Sequence, residues 1–157
     1  MAFVDHDTSG DPFINVTHRV GKTGDWDDLI VVQLMLEFVY ANDPVLKKTK
    51  PTKGPVTVTG KPAADTPILI AHFQKKILKR SKPQGYINKA VGTAKQKETF
   101  TIWYLNLRVT NLLAVLRSSD TVIDYLAKKL PLITPKVASD AAQKTIDNAN
   151  PRLPHVW

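Results

Sequence analysis

Between residues 94 and 130 the chain contains neither glycine nor proline, so nothing in that stretch forces the backbone out of a helix. Within it Ile102, Leu105, Val109, Leu112, Leu113 and Leu116 recur at three- and four-residue steps, which is one face of a helix. Ser118, Ser119 and Asp120 offer caps for a further helix with an apolar face of Val122, Ile123, Leu126 and Leu130. Pro131 and Pro135 are expected to break it, leaving a more polar helix over 137–150 and a tail over 151–157.

The earlier part of the chain reads the same way. Asp25 or Asp27 can cap a first helix whose face is Leu29, Val32, Leu36 and Val39, ended by Pro44. Residues 47–55 mix lysine, proline, threonine and glycine and read as an exposed loop, followed by a short extended piece over 56–59. Asp65 or Thr66 can cap a second helix, with Pro67 in its first turn and Ile70, Phe73, Ile77 and Leu78 on its apolar face. Pro83, Gly85 and Gly92 mark a loop carrying a Tyr86-Ile87 segment. Residues 1–24 read as an irregular lead-in with a short strand over 13–16, and no tandem repeat is visible. The fold class expected is mainly α.

At 157 residues, with 43% hydrophobic and 23% charged side chains, the chain suits one globular domain with a small extension. It has no cysteine, which excludes a disulfide scaffold, a thiol nucleophile and cysteine-ligated zinc. Residues 1–10 have neither a basic nor an apolar region, so no Sec-type signal peptide is expected. The longest apolar run, residues 29–36, is interrupted by Gln33 and is too short to span a bilayer. These points predict a soluble chain with no membrane partner, made in the cytoplasm.

The formal charge of +8 is unevenly placed. Residues 1–40 carry two basic and seven acidic side chains, whereas residues 41–100 carry thirteen basic and three acidic ones. A basic middle concentrates anionic polymers near the chain, or merely keeps it soluble. No nucleic-acid motif accompanies it, and aromatics such as Phe73 fall at helical-core spacing rather than on a stacking platform.

Catalytic patterns are missing. His6, His18, His72 and His155 show no metal-ligand spacing, and Glu37 and Glu98 are the only glutamates, with no glycosidase-like pairing that sequence identifies. The serines lack a nucleophile elbow and no phosphate-cradling loop is present. The chain is expected to be no enzyme and to need no cofactor. Trp26 at the first helix entry is either a hydrophobic staple or a sugar-stacking face, and Trp103 and Tyr104 flank the long helical stripe, where they could pack against the C-terminal helices. Gln33 and Gln74, set in or beside apolar faces, are expected to hydrogen-bond loop backbone.

An ordered set of motifs runs through residues 19–106. Leu29, Val32, Gln33, Leu36 and Val39 follow an apolar-x-x-apolar-Gln-x-x-Leu-x-x-apolar pattern, preceded by Val20-Gly21 and Gly24. Val58, Gly60 and Thr66 lead to Phe73-Gln74, and then come Gly85 with Ile87, and Thr101, Ile102 and Leu105. This layout resembles the small three-helix peptidoglycan-binding domain of bacterial and phage cell-wall hydrolases. Thr59 stands where that family has Asp, Ala63 stands for its second Gly, and both inter-helix loops are enlarged.

The resemblance implies a three-helix core over 19–106, preceded by a lead-in over 1–18 and followed by a helical extension over 107–157. It also implies a non-catalytic module for peptidoglycan or another anionic cell-wall polymer. The family groove lies beside the first helix and the Val-x-Gly loop. Here it would be lined by Trp26, Asp28, Thr59, Lys61 and Ala64, with Lys50 and Lys53 adding charge. Delivery to the envelope would then fall to a phage or a contractile injection apparatus. The alternative is a structural adaptor that reuses the fold and docks a protein through residues 107–157. A third reading is a polyanion binder acting through the basic surface of residues 41–100.

Overall fold

The computed structural model describes residues 2–133, comprising six helices and one two-stranded sheet. The expected helix over 137–150, Pro135, the tail and its Trp157 lie outside the described residues.

The start of the chain is more ordered than an irregular lead-in. Strand β1, Phe3–His6, pairs antiparallel with β2, Pro12–Asn15, with Phe3 opposite Asn15 and His6 opposite Pro12. The Asp- and Gly-rich composition belongs to the turn between them. There Asp7 accepts the amides of Ser9 and Asp11, and Gly10 takes φ +77°. The short strand expected over 13–16 is β2, shifted by one residue, whereas the four residues of β1 carry too few alternations to announce themselves in sequence. Asn15 is fully buried; its side chain accepts the Val16 and Ala90 amides and donates to the Ala90 carbonyl and Asp5. Lys97 reaches Asp5 at 2.8 Å. Burial pushes the Asp5 carboxyl up, but bonds from Lys97, the His6 amide and Asn15 outweigh it and hold the group below the usual carboxylate range.

Helix α1, Trp26–Asn42, is the centre of the molecule. Every residue from 28 to 36 is buried, whichever way it faces, so the expected stripe of Leu29, Val32, Leu36 and Val39 is only part of its apolar surface. It packs against α2 (Pro44–Thr49), α3 (Asp65–Lys76), α5 (Thr101–Val115) and α6 (Val122–Ile133). The rings of Phe38 and Tyr125, 4.7 Å apart, form part of the α1–α6 contact. Tyr40 and His72 join α1 to α3 through a 2.7 Å hydrogen bond. Burial lowers the His72 pKa, and Lys76 and Lys75 lower it further.

Four local expectations need correction. Pro44 does not end the helical region: it opens α2, where a missing amide costs nothing, and Asp43 caps it by accepting the Val45 and Leu46 amides. The loop expected over 47–55 therefore begins inside a helix. Thr121, not the Ser118–Asp120 group, opens α6, exchanging reciprocal bonds with Asp124; Asp120 instead pairs with Lys128 at 2.8 Å. Helix α6 continues through Pro131 to Ile133, so that proline falls in its last turn. A short helix α4, Ala94–Lys97, carries a capping box formed by Thr93 and Gln96.

A single hydrophobic cluster extends from Ala2 to Leu130. Leu29, Val32, Leu36, Phe73 and Leu105 lie within it as expected, whereas Ile77 is partly buried at its margin and Leu116, one residue beyond α5, is 55% exposed. The boundary drawn between 106 and 107 falls inside α5, and Val109, Leu112, Leu113, Ile123 and Leu126 belong to the same core.

Candidate binding site

Two buried glutamines organise the surface turns. Gln33, on α1, accepts the amides of Thr59 (3.0 Å) and Gly60 (2.8 Å) and donates to the Lys61 carbonyl (2.9 Å) and the Thr66 hydroxyl (3.3 Å). Gln74, on α3, does the same one step later. It accepts from Gln84 (2.8 Å) and Gly85 (3.2 Å) and donates to the Tyr86 carbonyl (2.9 Å) and the Thr101 hydroxyl (3.1 Å). Each side chain thus spends its full amide on one turn and on a threonine in the first turn of a later helix, Thr66 of α3 or Thr101 of α5.

The parallel extends to the glycines. Gly60 and Gly85 take φ of +72° and +73°, where a side chain is strained. A Cβ on Gly60 would stand 2.4 Å from the Trp26 indole nitrogen, and one on Gly85 would stand 3.2 Å from the Pro67 carbonyl. Trp26 precedes Gln33 by seven residues, and Pro67 precedes Gln74 by seven. No tandem repeat is visible as letters, yet the same device is built twice. The shared signal is a helix glutamine seven residues after the residue that its glycine packs on, followed by an x-Gly-x turn and a threonine in the first turn of a later helix.

The first turn brings together part of the expected site. Trp26 is half-buried across Gly60, and its indole N–H has no acceptor among the described residues yet is not enclosed. Thr59 and Lys61 are exposed beside it, and the Thr59 hydroxyl accepts the Lys61 amide at 3.2 Å. Ala64 is exposed at the entry to α3. Asp28 is elsewhere in role: it is fully buried, and its two oxygens accept the Thr17 and His18 amides, holding the chain that leads into α1. The Lys50 ammonium donates to the Gly54 carbonyl within its own loop, and Lys53 is exposed on that loop. Neither lysine makes a bond to the Gln33-held turn.

Gly60→Ala tests how tightly this turn is built. The left-handed backbone alone is expected to cost about 1–2 kcal/mol, and the contact with Trp26 adds to it. Gly54→Ala, at φ +76° with open space around it, carries the strain without the contact. Thermal unfolding of the two variants should therefore separate, with Gly60→Ala the less stable; equal losses would mean that Trp26 yields freely.

Residues that sequence reasoning passed over surround the second turn. Three residues beyond α3, Lys79 takes the left-handed region (φ +56°), and the Arg80 amide returns to the Gln74 carbonyl at 3.1 Å. Adjoining hollows follow from there past Gln84 and Tyr86 to the segment at residues 19–23, where Val20 bridges to Ile87. Among the described residues their lining carries Arg19, Lys22, Lys79, Arg80 and Lys82 and no carboxylate.

Other chemistry-bearing side chains are occupied structurally. His18 Nδ1 lies 2.7 Å from Asp25, and Asp28 is within 4.8 Å of both, a grouping that spacing did not reveal. With both Asp28 oxygens on backbone amides, the three groups clamp the entry to α1. Glu98, at the C-terminal end of α4, accepts the Thr8 amide and hydroxyl with its side chain. The Trp103 indole reaches Asp7 at 3.4 Å, which ties it to the hairpin turn. No helix among the described residues is long and apolar enough to cross a membrane. Compared with protein-family models, curated proteins and solved structures, this chain finds no match.

Proposed function

We propose that this chain is a non-catalytic binding module for bacterial cell-wall peptidoglycan, built on a three-helix core of α1, α3 and α5 like that of the small peptidoglycan-binding domains. The observation that carries the reading is the Gln33-held turn. It presents an exposed threonine and lysine beside a half-buried tryptophan whose N–H has no acceptor among the described residues. Four hydrogen bonds fix the turn in advance, so little order need be gained on binding. An indole face with nearby donors suits a sugar ring and its hydroxyls.

The test is co-sedimentation of the full chain with purified sacculi over a salt series. Trp26→Ala and Lys61→Ala are each expected to weaken binding by about three- to tenfold, while wild-type binding persists in part at about 200 mM salt because short-range contacts are screened little. Collapse between about 50 and 200 mM salt, with loss on charge reversal of Lys47, Lys48, Lys50 and Lys53, would indicate a polyanion binder instead.

A second reading, a protein adaptor, is favoured by the apolar end of α5, where Val115 is 76% and Leu116 55% exposed. If sacculi are not bound and Val115→Asp with Leu116→Asp removes capture of a protein partner, that reading replaces the first. Truncation at Leu107 is unsuitable for this purpose, because it deletes half of α5 and all of α6 from the core.

A further inference from the structure

Arg19 is held in a manner that structural need does not account for. Its guanidinium carbon sits 4.0 Å from the centre of the Tyr86 ring, and its Nε donates to Asn88 Oδ1 at 2.9 Å. The two terminal amino groups have no acceptor among the described residues, and no carboxylate pairs with this side chain. The partners are themselves fixed. Val20 and Ile87 exchange both backbone bonds, at 2.9 and 2.7 Å, and Gln74 pins residues 84–86. Gly21 lies so close to that turn that a Cβ there would meet the Gly85 carbonyl at 2.8 Å.

A hollow of about 270 Å³ opens beside Arg19, lined also by Lys22, Thr23, Gln84 and Tyr86. A guanidinium fixed through Nε and through its face leaves its outer fork available, the geometry that grips a carboxylate or phosphate with two parallel bonds. Lys22 adds a second positive charge, and the Thr23 hydroxyl and Gln84 amide are suited to sugar hydroxyls. The volume is that of a small ligand site, one sugar unit rather than a long strand. Arg19 covers one face of Tyr86 and no second aromatic among the described residues lines the hollow, so these residues do not provide the stacking that single-stranded nucleic acids use.

We propose that this hollow is a receptor for an oxyanion, carboxylate or phosphate, borne on one sugar-sized unit of an acidic glycan, with Arg19 as its bidentate ligand and Lys22 as the second charge. Thr66 meets Gln33 while the adjacent Pro67 lies under Gly85, so the first turn of α3 separates this site from Trp26. The proposal does not depend on the Trp26 turn binding anything.

The experiment is calorimetric titration of the full chain at about 150 mM salt, where long-range attraction is largely screened. The probes are a galacturonic acid trisaccharide, its neutral methyl ester, glycerol 3-phosphate and a short single-stranded DNA. Binding of the acid trisaccharide or of glycerol 3-phosphate supports the site, and the tighter of the two identifies the anion. The ester should bind about tenfold more weakly or worse. Arg19→Lys, which keeps the charge but loses the fork, should cost about tenfold, and Arg19→Gln more. Tyr86→Leu should weaken binding with no change of charge, whereas Trp26→Ala and Lys53→Glu should leave it unchanged. The proposal is overturned if neither anion binds, if the ester binds equally, if DNA binds as tightly, or if Lys53→Glu costs as much as Arg19→Gln. The acid–ester comparison uses the unaltered protein, so it decides the matter even where a variant fails to fold.

Discussion

Phe73→Ala is expected to lower the stability of the fold by about 3–5 kcal/mol, the usual cost of deleting a buried aromatic ring and leaving its cavity. Phe73 is 1% exposed on α3 and is the largest of the fully buried side chains. It sits next to Gln74, so the helix that loses the ring also carries the clamp for the second turn. A single domain has about 5–15 kcal/mol in hand, and this one change removes a large share of it. Urea unfolding at constant m-value would read the loss directly. Leu116→Ala, at a position 55% exposed, should by comparison fall within about 0.5 kcal/mol of the parent. A loss under about 1 kcal/mol at Phe73 would mean that α3 does not close the core.

The helices were legible because their signals are long. The Ile102–Leu105–Val109–Leu112 stripe and the Val122–Ile123–Leu126–Leu130 face are buried as their spacing predicts. Helix α1 was legible in place but not in role, since periodicity selects the apolar residues at one phase and says nothing of the opposite side. That α6 and α5 also pack on it is a long-range fact. Of the hairpin, the strand expected over 13–16 is β2 within one residue, but its partner β1 was missed for want of length, and Pro44 was misread because a proline that ends one helix and a proline that starts the next look alike. What separates them is Asp43 immediately before it, a capping residue one place ahead of Pro44.

The binding surface was legible in a different way. Polar residues on apolar faces are rare enough to demand partners, and that demand alone points from Gln33 and Gln74 to loop backbone. Which loops they hold, and that the two clamps repeat one another, only the fold reveals. Asp28 shows the converse. An acidic residue near a helix start reads as exposed in sequence, but it is fully buried because two backbone amides at residues 17 and 18 need an acceptor. Arg19 carried no sequence signal at all. Its setting depends on Tyr86 and Asn88, which lie far along the chain and arrive beside it only through the Val20–Ile87 bridge.

The two glutamines permit a test that links stability to each surface. Gln74→Met keeps the length of the side chain but removes four hydrogen bonds and strands the Gln84 and Gly85 amides, for an expected loss of about 3–5 kcal/mol. Gln33→Met does the same to the Thr59–Gly60 turn; because Gly60 is buried whereas Gln84 is exposed and Gly85 half-buried, the stranded Gly60 amide has less access to water, and the loss should be the larger of the two. Hydrogen exchange would localise the damage. Amides 59 and 60 should lose protection in Gln33→Met and amides 84 and 85 in Gln74→Met, each leaving the other pair nearly as it was. The functional consequences should divide in the same way. Loosening the second turn moves Tyr86 from beneath Arg19, so Gln74→Met should weaken acid-glycan binding while sacculus binding through Trp26 survives; Gln33→Met should reverse that pattern. Both functions falling together in both variants, with protection lost across the molecule, would mean that the clamps hold up one fold rather than two separate sites. Independent losses would mean that a device built twice, from a helix glutamine and a glycine turn, serves two surfaces on either side of the first turn of α3.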